Sequence, residues 1–236
     1  MATPLTLAQR YDYGRGRPSH WLRSAGLKRL IKPAGPEGAL NVLIDSTGLK
    51  VFGAGQWVQE KHGAKSRRGW RKLHIAVDVE SFSIVAHTLT TQEVDDPSQV
   101  GPLLDQIEAP LRKITADGAY DGAPTYEVIA ARDEWIVIAI PPRSTAVPSG
   151  SDPPTHRDLC LKTIQTQGRL AWQACVDYGK RALVETMMSV YKTLVGVRLR
   201  ARGWAAQQTE VAIGVAVVNR MLAVARPHSV RKMAMR

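Results

Sequence analysis

Tyr178, Arg181, Glu185 and Lys192 stand in the run YGKRALVETMMSVYK, which otherwise holds the apolar residues of a packed helix. At about 100° per residue, with Tyr178 set at 0°, Arg181 falls at about −60°, Glu185 at about −20° and Lys192 at about −40°. A phenol, an acid and two cations therefore share one stripe, while Val184, Met187 and Val190 supply apolar surface elsewhere. Taken alone, the stripe is explained by surface pairing. Arg181 and Glu185 are four residues apart, and an exposed pair at that spacing contributes about 0.2–0.5 kcal/mol.

Two more acids change that reading. Asp45 follows the apolar run LNVLI and Asp117 follows KITA, so each stands where a short buried strand is expected to end. Sites in open α/β sheets gather at the carboxyl ends of strands. Two neighbouring carboxylates repel unless a cation lies between them. A third carboxylate, brought by a helix with cationic side chains beside it, describes a site for Mg²⁺ and phosphate. Mg²⁺ takes oxygen ligands and keeps positions open for water and substrate, and two such ions suit an in-line displacement at phosphorus. Arg and Lys on the stripe would hold phosphates of a bound strand.

The elements that must position these residues follow from pattern. Leu40 to Ile44 predicts a short buried strand stopping on Asp45. LHIAVDV and SIVAHTLT alternate across a short polar link and predict a hairpin. Asp96 is placed to cap a helix with Pro97 at its first position, the regular part beginning after Gly101 and Pro102. RKITA predicts a strand ending on Asp117, a helix opens at Pro124, and WIVIAI is a buried strand stopped by two prolines. Arg143 to Thr166 is rich in Pro, Ser and Thr and predicts an irregular insertion. A long helix is expected from about Leu170 to Val195, and a last, largely apolar one ends before Pro227. This order implies an α/β sheet with helices on its faces.

Charge points to the partner. The 236-residue chain carries a net charge of +11. Met1 to Leu40 holds seven Lys or Arg and two acids, Lys61 to Lys72 six basic residues and no acid, and Tyr191 to Arg236 nine basic residues and one acid. Glu80 to Ile140 holds eleven acids and three basic residues. Basic flanks around an acidic centre suit a polyanion, and nucleic acid is favoured over a merely soluble surface. No apolar stretch reaches membrane-spanning length, and the start lacks the apolar run of a signal peptide. Cys160 and Cys175 match no zinc or redox spacing and are expected as free thiols in a reducing cytoplasm.

The spacing Tyr, two residues, Arg, three residues, Glu, six residues, Lys is met in full by Tyr178, Arg181, Glu185 and Lys192. It is similar to the signature of DDE transposases from bacterial insertion sequences, and IDSTGLKV and TADGAYD resemble their first and second Asp blocks. The insertion-sequence-five type resembles it best, over roughly residues 40–230. The resemblance implies a ribonuclease-H-like mixed sheet with flanking helices and an insertion, at about 143–168, before the last catalytic helix. It implies catalytic and metal-binding roles for Asp45, Asp117 and Glu185, contacts to element-end DNA for Tyr178, Arg181 and Lys192, and Mg²⁺ or Mn²⁺ as cofactor, as two ions. Double-stranded DNA, at element ends and at the target, is the implied partner, with a homodimer during synapsis and a place at the bacterial nucleoid. Residues 40–236 would form the catalytic domain.

Residues 1–39 depart from that pattern. They predict a basic, poorly ordered arm where relatives carry a helical DNA-binding domain. Two readings therefore stand: an active transposase, or a truncated, non-catalytic DNA-binding remnant that inhibits an intact enzyme. A ribonuclease-H-like repair nuclease would use similar metals but would have no use for the Tyr-Arg-Glu-Lys stripe.

Other residues are given plainer roles. Asp121 is expected as a cap or turn acid, and Asp78 as a contact to solvent or a neighbouring Lys. His62, His74 and His87 have no ligand spacing and are expected to be structural or close to DNA. Trp57 and Trp70, flanking the basic loop, are expected as core anchors.

Overall fold

The structure, a computed structural model, describes residues 38–51 and 69–225. The basic arm, Trp57, His62 and the basic loop as far as Arg68 lie outside the described residues.

Among the described residues, six strands form one sheet of order β3-β2-β1-β4-β5, with β6 beside the far end of β1. The strands are β1 (Leu40–Val51), β2 (Trp70–Asp78), β3 (Ile84–Thr91), β4 (Leu111–Thr115), β5 (Val137–Ala139) and β6 (Arg198–Leu199). The expected hairpin is present: β2 runs antiparallel to β1 and β3. β4 and β5 run parallel, with α1 (Val100–Leu104) and α2 (Ala123–Arg132) among the connecting elements. The sheet is thus mixed, with helices on its faces, as the element order predicts.

Side-chain alternation along β1 divides the core in two. Leu40, Val42 and Ile44 pack with α1 and α2 through Val100, Leu103 and Ile129. Leu43 and Leu49 pack on the other face against α5 (Ala182–Leu194) and α6 (Trp204–Val224), through Val184, Met187, Val211 and Val215. All these side chains are buried, and each contributes about 1.5–3 kcal/mol by leaving water.

Several expectations need correction. β1 does not stop at Asp45 but continues to Val51. Its parallel pairing with β4 ends at Leu43, whereas β2 partners it through Lys50. The polar residues Ser46 and Thr47 stay in the strand because the register with β2, which sets them opposite His74 and Leu73, continues past the end of the β4 pairing. β4 ends at Thr115, so Asp117 lies beyond its strand and opens a 3₁₀ turn, Gly118–Tyr120. Gly101 and Pro102 lie inside the short α1 rather than before it. Pro102 is tolerated because a first-turn residue needs no intrahelical N–H bond.

The expected insertion is irregular only up to Thr155. There Thr155 and Asp158 form a reciprocal capping box that starts α3 (His156–Gln167). The single long helix is in fact broken. α4 (Arg169–Cys175) ends, Asp177 takes a left-handed conformation at φ 49°, a 3₁₀ turn covers Tyr178–Arg181, and α5 begins at Ala182. α6 matches its expected extent.

Candidate active site

Asp45 comes from the middle of β1, two residues past the last one that pairs with β4. Its Oδ1 accepts the Ser46 N–H at 2.7 Å. Asp117 stands just past the end of β4, and its Oδ1 accepts the Ala119 N–H at 2.8 Å, which fixes the carboxylate at the head of the 3₁₀ turn. The parallel register pairs Leu43 with Thr115. The two acids stand two residues further along each chain, and Asp117 is close enough to act electrostatically on Asp45.

The third carboxylate arrives with a cation attached. Arg181 Nη2 donates to Glu185 Oε1 at 2.6 Å, and Arg181 Nη1 lies 3.6 Å from Asp45 Oδ2. The guanidinium thus bridges an acid from the sheet and an acid from the first turn of α5. Burial pushes the Asp45 carboxyl above its ordinary range. The Ser46 bond pulls it down, Asp117 pushes it up, Arg181 pulls it down and Glu185 pushes it up. All three sequence-distant carboxylates therefore act within one electrostatic neighbourhood.

Tyr178 is half-buried and packs on Trp172, ring centroids 5.6 Å apart at 43°. Burial raises its hydroxyl pKa; Arg181 opposes this, and Asp117 reinforces it. Tyr178 therefore joins the same cluster, although it lies on the 3₁₀ turn and not on α5. Lys192 lies two turns beyond Glu185, about 10.5 Å along the axis of α5. It is half-buried and makes no hydrogen bond or ion pair with a described residue. Five of the six expected site residues are thus drawn together, with Lys192 set apart on the same helix.

The donor set consists of carboxylate oxygens, which suits a hard divalent cation. Among the described residues, no group of three or more His, Cys, Asp or Glu side chains converges closely enough to hold a metal ion. Arg181 supplies the positive charge in this arrangement.

Three further features escaped the sequence. Asp96 occupies the N-cap position of the 3₁₀ turn Pro97–Gln99, yet its side chain makes no cap bond. Instead, Oδ2 accepts the Ser46 hydroxyl at 2.8 Å and Oδ1 accepts Lys72 Nζ at 3.0 Å. Burial pushes Asp96 up, but the bonds from Lys72 and Ser46 outweigh it and hold the carboxyl below its usual range. Tyr120 is buried, its hydroxyl without a partner, and burial together with Asp96, Asp45 and Asp117 keeps it protonated. Asp121 is the expected cap, at the C-terminal end of the 3₁₀ turn Gly118–Tyr120, but it is also buried and takes both Arg157 Nε at 2.7 Å and Arg157 Nη2 at 3.1 Å. The run DDP reads only as a helix start, and nothing in the sequence pairs position 121 with position 157.

The plainer expectations divide. Asp78 meets neither solvent nor Lys: it is buried and accepts Ser81 N–H and Oγ–H in the β2–β3 turn. His74 is fully buried and structural, bonded through Nε2 to Thr90 Oγ1. Trp70 is half-buried, with Lys50 Nζ 5.5 Å from its ring centroid. Cys160 and Cys175 are both free. No helix among the described residues is long and apolar enough to cross a membrane.

The fold resembles that of a piggyBac transposase solved as a synaptic complex with hairpin DNA, at TM-score 0.50 and 12% identity over 86% of this chain and 50% of the other. A chain of the simian T-cell lymphotropic virus intasome, solved with a PP2A regulatory subunit, matches at TM-score 0.38 and 16% identity over 69% and 42%. The chain thus spans half or less of the length of these solved chains. The mixed sheet with flanking helices is of the ribonuclease-H-like class that this transposase fold represents. The profile of the family described as Transposase DDE domain matches residues 37–220, and the chain belongs to that family. Its domains generally use divalent metal ions.

Proposed function

We propose that this chain is a DDE transposase of the insertion-sequence-five type, which cleaves DNA at the ends of an insertion sequence and joins them to target DNA. The observation that supports this most is the bridge made by Arg181. It links Asp45 to Glu185, while Asp117 acts electrostatically on the same Asp45, so that acids from three separate stretches of sequence influence one another.

In this reading Asp45, Asp117 and Glu185 would hold Mg²⁺ or Mn²⁺, as two ions, once Arg181 has released Asp45 and Glu185. Bound there, the ions would activate the attacking oxygen and stabilise the leaving oxygen of an in-line displacement. The chain's own residues do the rest. β1 and the turn after β4 fix Asp45 and Asp117 through backbone N–H bonds, while Glu185 rides on α5. Arg181 exchanges its carboxylate partners for phosphate oxygens when DNA arrives, a trade suited to a planar guanidinium. Tyr178 and Lys192 contact the backbone of the element end on either side of it. The partner is double-stranded DNA, and the enzyme pairs two ends as a homodimer.

The test is incubation of the full chain with Mn²⁺ and a duplex carrying the inverted repeat that flanks its own reading frame. A nick at the repeat boundary is expected. Retardation of the duplex without any product would instead support a non-catalytic DNA-binding protein.

A further inference from the structure

We propose that Asp96 is a positioning residue for Asp45, acting through Ser46. The inference rests on the role given to Asp45 above. Adjacent strand residues point to opposite faces, so Asp45 looks toward Arg181 and Glu185 while the Ser46 hydroxyl looks the other way. On that far face Ser46 Oγ donates to Asp96 Oδ2 at 2.8 Å. On the near side the Ser46 N–H donates to Asp45 Oδ1 at 2.7 Å. One residue thus connects the two carboxylates through the thickness of the strand.

Asp96 is itself firmly held. Lys72 Nζ donates to its Oδ1 at 3.0 Å and to the Val94 carbonyl at 2.8 Å, which pins the loop after β3 to β2. His74 Nδ1 lies 3.9 Å from the same oxygen. Capping does not explain the acid, because its side chain makes no cap bond even though the residue occupies the N-cap position. Its hydrogen bonds go to Ser46 and Lys72 instead. Anchoring the Ser46 side chain restrains the Ser46 backbone within its pairing to β2, and the N–H so held fixes Asp45 Oδ1. Groups that orient a ligating carboxylate from behind typically change metal affinity about 10–100-fold when removed.

The test uses the full chain and Asp96→Asn, Ser46→Ala and the double variant. Circular dichroism confirms that each is folded, and Mn²⁺ affinity is measured without DNA by water-proton relaxation. Each single variant is expected to weaken Mn²⁺ binding by about 10-fold, with the double variant no worse than the weaker single one. Unchanged affinity, or losses that multiply in the double variant, would overturn the proposal, because Asp96 and Ser46 would then act separately. A second readout is independent of metal: the amide proton resonance of Ser46, followed by NMR. It is expected to move upfield in Asp96→Asn, as it should in Asp45→Asn, and its staying in place in Asp96→Asn overturns the proposal. If the unaltered chain binds no Mn²⁺, the reading of the site as a metal centre fails, and the amide shift alone decides whether Asp96 holds Ser46 against Asp45.

Discussion

Arg181 Nη2 lies 2.6 Å from Glu185 Oε1, and the same guanidinium faces Asp45. The pair that looked like ordinary surface pairing on a helix is therefore anchored to the sheet. Both partners remain partly exposed, so the contact contributes little to stability and can be exchanged for other partners.

Removing the guanidinium should separate two effects. Arg181→Gln leaves the carboxylates without their internal counter-charge. Mn²⁺ binding in the absence of DNA is expected to tighten roughly five-fold, the equivalent of about 1 kcal/mol, while stability changes by less than about 1 kcal/mol. Affinity for element-end DNA should fall in the same variant. Weaker metal binding would show that Arg181 supports ion binding instead of competing with it.

His74 should make the fold acid-sensitive. Burial lowers its folded-state pKa to about 4, against about 6.5 in the unfolded chain. The unfolded chain therefore takes up the proton first as pH falls. The stability held by neutral His74 is complete above about pH 6.5 and is lost as pH drops toward 4, a change on the order of 3 kcal/mol. His74→Gln should be less stable at pH 7 but show a shallower loss across that window in urea unfolding. Burial also lowers His87 and His156, so part of the slope should persist.

The Asp121–Arg157 pair ties α3 to the turn that carries Asp117. The Asp121 side chain is fully buried, so removing Arg157 strands a buried charge. Arg157→Met should cost about 3–5 kcal/mol in denaturant unfolding. Lys180→Met breaks the exposed Asp177–Lys180 pair and should change stability by less than about 1 kcal/mol. Equal effects would contradict the difference in burial.

α6 crosses α5 closely at Gly214. A Cβ there would meet the Tyr191 hydroxyl at 2.8 Å and Val195 Cγ1 at 3.0 Å. Gly214→Ala should therefore destabilise by about 1–3 kcal/mol. The Tyr191 hydroxyl is buried without a partner, so Tyr191→Phe should be near neutral. Combining the two should recover part of the loss; strict additivity in thermal melts would argue against the clash.

Much of this architecture was legible because local pattern and tertiary structure agree. The hairpin of β2 and β3 alternates cleanly, and Pro124 marks the start of α2. The acids at 45, 117 and 185 stood out because two follow apolar runs and one belongs to a spaced stripe. What was hidden depended on distant partners. Polar Ser46 and Thr47 look like a strand end, but their pairing with β2 carries the strand on. The helix break at Asp177 falls on a non-glycine residue in the left-handed conformation, and only Gly179, in the turn that follows, hints at it. Asp96 carries the local pattern of a cap, and only the fold brings Ser46 and Lys72 to it.

The most direct test of the central claim compares the unaltered chain with Asp117→Ala on one element-end duplex, reading nicking and retardation in the same Mn²⁺ titration. Asp117 lies outside the regular strand, so its loss should leave the fold intact. The expected result is full retardation with no nicked product from Asp117→Ala, while the unaltered chain nicks at the repeat boundary. Equal metal-dependent nicking by both proteins would contradict the assignment of the phosphoryl chemistry to this cluster.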